Sequence, residues 1–341
     1  PLGGAAKGPP CRGLELSAVW CYMFPVSAPR RRQNMAISSK RVRQGGTGDE
    51  GIAVRPAQYC DLHTHTTASD GSDHPAELIE NAGRAGLAAV AVTDHDTIDG
   101  LPAALAAGGE LGIEVLPGVE LSLLSPSGSM HLLGYLIAPD APVLSEVLAR
   151  VQSARSARNP LILERLGALG LPIAFQELEE MAEGGQIGRP HIARAMVKHG
   201  YVGTVGEAFA RYLKKDAPAY VPKSILTPEE AIEAVHRAGG LAVLAHPISL
   251  GIQPLSGLDE MVAEWTDRGL DGIECYYTEH DPETTARCLE LCRRYDLVPT
   301  GGSDYHGKAK PQVRLGRGRG SLRVPYRCVE ELKERHSRLR R

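Results

Sequence analysis

The stretch Asp61-Leu62-His63-Thr64-His65 closes a short strand-like run and places two imidazoles one residue apart. In an extended strand, residues i and i+2 face the same side, so His63 and His65 can turn toward one metal ion. A lone His-x-His is weak evidence, but this one heads a series. The apolar run 87–93 leads into Asp94-His95-Asp96, and 113–116 leads into Pro117-Gly118-Val119-Glu120. The run 241–245 leads into His246-Pro247, and 297–300 into Gly301-Gly302-Ser303-Asp304-Tyr305-His306. His131 opens a further apolar run over 132–137.

Between these runs lie segments of helical periodicity, over 77–85, 228–238 and 282–295. Thr227 before Pro228 reads as an N-cap followed by a first-turn proline. Repeated strand-then-helix units predict an α/β fold with parallel strands joined by crossover helices. In a closed β/α barrel, functional residues gather at the C-terminal strand ends, where most of the acids and histidines above fall. One mouth would then collect distant parts of the chain.

The composition suits this. A chain of 341 residues accommodates one barrel with an insertion, and 43 % hydrophobic residues supply its core. A net charge of −3 gives no global reason for a nucleic-acid coat, so polyanion binding has to be local. The seven cysteines follow no disulfide-framework spacing; Cys288 and Cys292 lie four apart on a predicted helix and read as buried thiols, at home in a reducing cytoplasm. No run is long and apolar enough to span a bilayer, and no obligate protein partner is expected. Residues 1–57 differ in style, with Gly3-Gly4, Pro9-Pro10, Arg30-Arg31-Arg32 and Gly45-Gly46, and read as a disordered extension. With Met23 and Met35 the first candidate starts, the part upstream of them is expected not to belong to the natural protein, which an intact-mass measurement on the native protein would decide. The barrel is expected over 58–140 and 227–320, with a helical insertion over 141–226. A basic C-terminal tail is expected over 321–341, and its end from Lys333 to Arg341 reads as a charged helix or frayed tail with a solvated face.

Nine candidate ligands emerge: His63, His65, Asp70, His95, Glu120, His131, His246, Asp304 and His306. Imidazole nitrogens and carboxylate oxygens suit zinc, manganese and iron. One ion takes three or four protein ligands, so nine candidates point to two or three ions. A carboxylate such as Glu120 can bridge two ions about 3.5–4 Å apart, a spacing that activates a shared water and clamps phosphoryl oxygens. The constellation reads as metal-assisted phosphoester hydrolysis.

From about Tyr59 to about Gly318 the chain resembles the polymerase and histidinol phosphatase (PHP) superfamily of metal-dependent phosphoesterases. The resemblance is carried by Asp61-Leu62-His63-Thr64-His65, Ser69-Asp70-Gly71, Thr93-Asp94-His95-Asp96, Gly118-Val119-Glu120, Ala245-His246-Pro247 and Gly302-Ser303-Asp304-Tyr305-His306. It implies a distorted (β/α)7, TIM-like barrel with a trinuclear metal site. By that resemblance His63, His65, Glu120 and Asp304 hold the first ion, Glu120, His131 and His246 the second, and Asp70, His95 and His306 the third.

Within the superfamily, the interval between His131 and His246 is similar to the insertion of the branch that hydrolyses nucleoside 3',5'-bisphosphates and trims short 5'-phosphorylated RNA from its 5' end. That interval holds Gly188-Arg189-Pro190-His191 and Pro218-Ala219-Tyr220-Val221-Pro222-Lys223. The resemblance implies that Arg189, His191 and Lys223 reach the substrate phosphate. A hydroxide bridging two ions would attack phosphorus in line, and His191 or a metal-bound water would protonate the leaving ribose oxygen. Lys214-Lys215-Asp216-Ala217 departs from the small or glycine-rich step usual before Pro-Ala-Tyr-Val-Pro, which leaves that loop's part in phosphate binding open. Two other readings stand beside this one: a phosphatase of the histidinol phosphate type, and a non-catalytic metal-binding barrel. Asp94 and Asp96 either orient His95 or cap the next helix. His74, His199, His236, His280 and His336 read as surface or helix residues, and Tyr305 as a packing residue.

Overall fold

The apolar runs fold into short buried strands separated by helices. The computed structural model describes residues 58–124, 130–182, 184–222, 226–252 and 256–341. The expected extension 1–57 and Lys223 lie outside the described residues. In chain order come β1 (Tyr59–Asp61), α1 (Pro75–Arg84), β2 (Ala89–Val92), α2 (Leu101–Leu111), β3 (Glu114–Leu123) and β4 (Met130–Tyr135). Next are α3 (Pro142–Ala168), α4 (Phe175–Ala182), α5 (Arg189–Lys198), α6 (Val205–Ala208) running into a π-helical turn (Phe209–Leu213), and α7 (Pro228–Arg237). The chain ends with β5 (Leu241–Leu244), α8 (Ser256–Asp267), β6 (Gly272–Tyr277), α9 (Pro282–Tyr295), β7 (Val298–Gly302), β8 (Val324–Pro325) and α10 (Arg327–Leu339).

Helix starts follow local chemistry. Thr227 and Glu230 form a reciprocal capping box on α7, with Pro228 in its first turn, an arrangement typically worth ~1 kcal/mol. Asp281 caps α9 by accepting from Thr284 N, and Asp296 ends that helix in the left-handed region at φ 51°.

The sheet runs β7-β6-β5-β4-β3-β2-β1-β8. β1, β2 and β3 are parallel to one another, as are β5, β6 and β7. β4 departs from the all-parallel expectation and runs antiparallel to both β3 and β5. The few residues joining β3 to β4 are too short for a crossover helix, so the chain turns back on itself. This reversal carries His131 to the mouth, because the start of an antiparallel strand lies beside the ends of its parallel neighbours.

Beyond their ladders β7 and β1 meet, through Leu62 N to Gly301 O at 3.1 Å and Asp304 N to His63 O at 2.9 Å, and the barrel is nearly closed. A Cβ on Gly302 would lie 2.2 Å from the His63 Cβ, so this approach requires glycine. Leu62, Ala91, Leu133 and Val243 fill the interior, and Tyr135 crosses it to donate its OH to Leu62 O at 2.7 Å.

The C-terminal segment is exposed or half-buried over 333–341, the part read as a solvated face, but not just before it. Cys328, Val329 and Leu332 of α10 are buried with the barrel-interior residues. Their i, i+1, i+4 spacing gives the basic helix one apolar stripe, which closes the barrel end opposite the mouth.

Between β4 and β5 the regular elements of the described residues are all helical. A second core gathers there from Ile162, Leu166, Leu178, Ile192, Met196 and Leu213. The first half of α3, through Leu144, Leu148 and Val151, packs instead in the core between barrel and outer helices. α3 therefore belongs to two cores, and it crosses the barrel mouth between them. All five described cysteines are buried and free, with the Cys275 and Cys292 Sγ atoms 3.5 Å apart. No helix of the described residues is long and apolar enough to cross a membrane.

Candidate active site

The nine candidate ligands converge at the mouth, drawn from six strands, β1 to β5 and β7, or the turns that follow them. Glu120 lies at the centre. Its Oε2 is 3.2 Å from His63 Nε2, 3.2 Å from His65 Nε2 and 3.0 Å from His95 Nδ1. Its Oε1 is 2.7 Å from His131 Nδ1 and 2.9 Å from His246 Nε2. On the other side His306 Nε2 is 3.2 Å from Asp70 Oδ1, and His65 Nε2 is 3.3 Å from Asp304 Oδ1. Four overlapping sets have donor atoms within 4.8 Å of one another: His65, Asp70, His95 and His306; His63, His65 and Asp304; His63, Glu120 and His246; His95, Glu120 and His131.

These atoms are close yet poorly aimed at one another. His63 Nε2, both nitrogens of His65, His95 Nδ1, Asp70 Oδ1, Glu120 Oε2 and His246 Nδ1 are buried without a hydrogen-bond partner. A buried polar atom without a partner costs about 1–3 kcal/mol, and seven in one cluster would be hard to sustain. Lone pairs that converge on shared points rather than on hydrogens are what a cation-binding site requires, so the donor set fits divalent ions.

Residues behind the cluster fix its orientation. Glu274 Oε1 lies 3.0 Å from His63 Nδ1, and Glu274 Oε2 accepts from His246 N at 2.7 Å. His306 donates Nδ1–H to Asp304 O at 2.8 Å, which turns its Nε2 toward Asp70. Asp304 Oδ2 accepts from Tyr277 OH at 3.0 Å and Lys310 Nζ at 2.7 Å, leaving Oδ1 for the cluster. His246 and Asp304 sit at φ 23° and 58°, values that L residues rarely adopt and that concentrate at functional sites. Glu274, Tyr277 and Lys310 were not singled out in the sequence. Glu274 sits inside an apolar strand, where a carboxylate needs a buried partner; that was its only signal.

Asp94 and Asp96 tie together the loops around the site. Asp94 accepts from Thr66 N, Thr66 Oγ1 and Ser69 Oγ at 2.7, 2.7 and 2.5 Å, pinning the loop that carries Asp70. Asp96 accepts from Ser122 N at 2.7 Å and pairs with Arg155. Tyr305 donates to Asp73, and the five other described histidines sit at helix ends or against helices, as expected.

Electrostatics divide the cluster. Burial works against charge on His65, but the Asp304 and Glu120 carboxylates outweigh it and hold the imidazole up at about 9. Burial pushes His131 and His306 down to about 4. Burial also opposes charge on Glu120, yet His95, His131 and His63 keep its carboxyl well below the usual range.

Above the cluster lies a cavity of about 350 Å³, roofed by α3, α5 and α6. Arg155, Arg158, Arg189 and Arg194 line it together with Lys310. Arg158 is 5 % exposed and its Nε has no hydrogen-bond partner. Burial, then the neighbouring Arg189 and Arg155, push its guanidinium down to about 9. Arg189 donates to Leu213 O at 3.0 Å and lies over the Phe209 and Tyr220 rings. His191 is buried elsewhere: its Nδ1 accepts from Gly188 N at 3.2 Å, and it lines a smaller neighbouring cavity with Arg194. Arg155 and Arg158 escaped the sequence reading, although the spacing Leu144, Leu148, Val151, Arg155, Arg158, Ile162 places both on the buried stripe of α3.

Comparison with known proteins agrees with this geometry. Residues 61–212 match the PHP domain family. The 5'-3' exoribonuclease Rnm of Salmonella typhimurium is 36 % identical over 275 residues, 78 % of this chain and 92 % of that protein. The phosphoribosyl 1,2-cyclic phosphate 1,2-diphosphodiesterase of Eggerthella lenta is 34 % identical over 73 % of this chain and 94 % of its own length. The 3',5'-nucleoside bisphosphate phosphatase of Chromobacterium violaceum is 31 % identical over 72 % and 86 %. A crystal structure assigned as a metal-dependent phosphoesterase of Bifidobacterium adolescentis superposes with a TM-score of 0.72 at 36 % identity, covering 82 % of this chain and 97 % of that one. A nearly closed barrel whose mouth gathers nine metal-competent side chains, matched over most of its length by these phosphoesterases, makes this chain a member of the PHP domain family of metal-dependent phosphoester hydrolases.

Proposed function

We propose that this enzyme acts on nucleotides: it removes the 3'-phosphate of nucleoside 3',5'-bisphosphates and trims nucleotides from the 5' end of short RNA. The observation that carries the proposal is the pair of anion sites facing one cavity, a metal-competent floor and an arginine roof. A simple phosphomonoester needs only the floor. Three guanidiniums at Arg155, Arg158 and Arg189, with Arg158 in no ion pair among the described residues, call for a second phosphate on the same substrate. The exoribonuclease and bisphosphate phosphatase relatives act on substrates of that description, which supports the reading.

In this proposal His63, His65, Asp70, His95, Glu120, His131, His246, Asp304 and His306 hold two or three divalent ions of manganese, zinc or iron. Such ions supply Lewis acidity and an activated water. The chain's own residues do the rest. Arg158 and Arg189 fix the non-reacting phosphate, and the aromatic and apolar wall of Val205 and Phe209 receives the base. Glu274 holds His63 and the backbone of His246 in place. His191 keeps the start of α5 in register beside Arg189, in place of the proton-donor part first expected of it; Lys310 and Tyr277, hydrogen-bonded to Asp304, are the donors nearest the reacting end. We treat 141–226 as the inserted unit that supplies the roof, and place the enzyme in the cytoplasm, consistent with its unpaired buried cysteines.

The test is phosphate release by the purified protein with manganese, comparing adenosine 3',5'-bisphosphate, histidinol phosphate, a five-membered cyclic ribose phosphate and a 5'-phosphorylated RNA pentamer. Preference for the bisphosphate with stepwise trimming of the pentamer is the expected result. Turnover of histidinol phosphate alone would overturn the nucleotide reading while keeping the floor. No turnover of any ester by metal-loaded protein would favour a non-catalytic barrel.

A further inference from the structure

The chain carries a net charge of −3, yet residues 305–325 contain no Asp or Glu. In that interval stand Lys308, Lys310, Arg314, Arg317, Arg319 and Arg323. It starts beside His306 in the site and leads away from the mouth. Its middle is a tight hairpin: Arg314 N donates to Gly318 O, and Gly318 N to Arg314 O, both at 2.8 Å. Gly316, Gly318 and Gly320 have φ of 67°, 52° and 148°, which side-chain-bearing residues rarely adopt. The turn is therefore specified rather than loose.

Two bonds fasten it to the barrel. Gly316 N donates to the buried carboxylate of Asp61 at 2.7 Å, and Arg319 N donates to Thr278 Oγ1 at 2.8 Å. Arg314, Arg317 and Arg319 are exposed. Arg319 pairs with Glu279, while among the described residues Arg314, Arg317 and Arg323 are in no ion pair. Between the hairpin and the loop after β6 lies a groove of about 350 Å³, lined by Tyr276, Tyr277, Arg319 and Arg323. Tyr277 also lines the active-site cavity, so groove and site share a wall residue.

A solvated basic loop would need neither the fastening nor the aromatic wall. Cations in a fixed row, with aromatic faces between them, are what single-stranded nucleic acid recognises without regard to sequence. We infer that the hairpin of residues 314–320 and the groove beside it form a track for the RNA strand on the 3' side of the scissile phosphate. The track rests on the nucleotide-directed reading and adds to it a site for chain length: the cavity handles the 5'-terminal nucleotide, and the hairpin holds the phosphates that follow.

The experiment compares the full-length protein with the triple variant Arg314→Gln, Arg317→Gln, Arg323→Gln. Binding of a 3'-labelled, 5'-phosphorylated RNA decamer is followed by fluorescence anisotropy in EDTA across a salt series, and turnover of adenosine 3',5'-bisphosphate is measured separately with manganese. The expected result is at least ~10-fold weaker decamer binding, a salt slope reduced by about 0.7 for each phosphate no longer neutralised, and unchanged turnover of the bisphosphate. The corresponding triple Arg→Lys variant should retain decamer binding. Equal decamer binding by wild type and the Gln variant would overturn the track. So would a parallel loss of bisphosphate turnover, since the hairpin would then be supporting the site. If wild type binds the decamer through these arginines but hydrolyses no bisphosphate, the track stands and the nucleotide reading of the cavity fails.

Discussion

The floor and the roof of the cavity bind charge by opposite means. On the floor, side chains that follow strands face each other in mixed sign, with Glu120 within 3.2 Å of five imidazoles. On the roof, guanidiniums on helices face each other with like sign, and among the described residues the only carboxylate paired with them is Asp96 at Arg155. The floor is suited to cations and whatever chemistry they support. The roof is suited to an anion that arrives with the substrate. On the proposed reading, reaction and selection reside in different secondary structure, and each should be alterable without the other.

The sharpest break of that division comes from the floor. Asp304→Asn should lower turnover of every phosphate ester by ~10³-fold, the loss expected when several kcal/mol of charge stabilisation are removed, with bound metal measured in parallel. A loss confined to nucleotide substrates would show that floor and roof are not separable. Next in size is Arg158→Gln. A charge-assisted contact is worth about 1.5–3 kcal/mol, so kcat/KM for adenosine 3',5'-bisphosphate should fall by roughly 10- to 100-fold while p-nitrophenyl phosphate is hydrolysed as before. The same variant should melt no lower than wild type, because it removes a buried charge that has no carboxylate partner among the described residues.

Glu274→Gln tests whether the floor depends on what stands behind it. Manganese affinity should weaken by roughly 10- to 100-fold, the usual effect of losing a carboxylate behind a ligating histidine; unchanged affinity would reduce Glu274 to packing. The smallest effect is on pH and stability without metal. His65 is held up at about 9, against ~6.5 when unfolded. Its contribution is fully present below ~6.5 and is lost as pH rises through 9. His131 and His306 are held down at about 4, so stability also falls as pH drops from ~6.5 toward 4. The metal-free protein should melt highest near pH 6.5, and the manganese-induced rise in Tm should grow toward pH 9. A flat profile would mean that the floor is not coupled in this way.

The same contrast explains what could be read before folding. Floor residues sit in short motifs at the ends of apolar runs, so spacing in the chain stood in for position in space. His131 was harder to place, because its part depends on β4 reversing direction between β3 and β5. The roof was legible only at Arg189, through resemblance. Arg155 and Arg158 follow the helical period of their apolar neighbours, but which stretch of a buried stripe will cross a cavity is decided by tertiary packing. Glu274 was hidden for a related reason: its partners His63 and His246 lie far from it in sequence. The first turns of α10 give little sign in the sequence of closing the barrel, because their few apolar positions stand among more numerous charged ones.

A helix held in two cores makes a poor hinge. Swinging the roof aside would pull either Leu148 and Val151 or Ile162 and Leu166 of α3 out of their packing, each costing on the order of 2 kcal/mol to expose. With α10 sealing the far end of the barrel, the reacting centre resembles a blind alley with a fixed lintel. The middle of a long strand has no way to bend in and out again, so a polymer must enter by its tip. An enzyme of this shape would consume its substrate from an end, one unit at a time, because of the architecture around the chemistry.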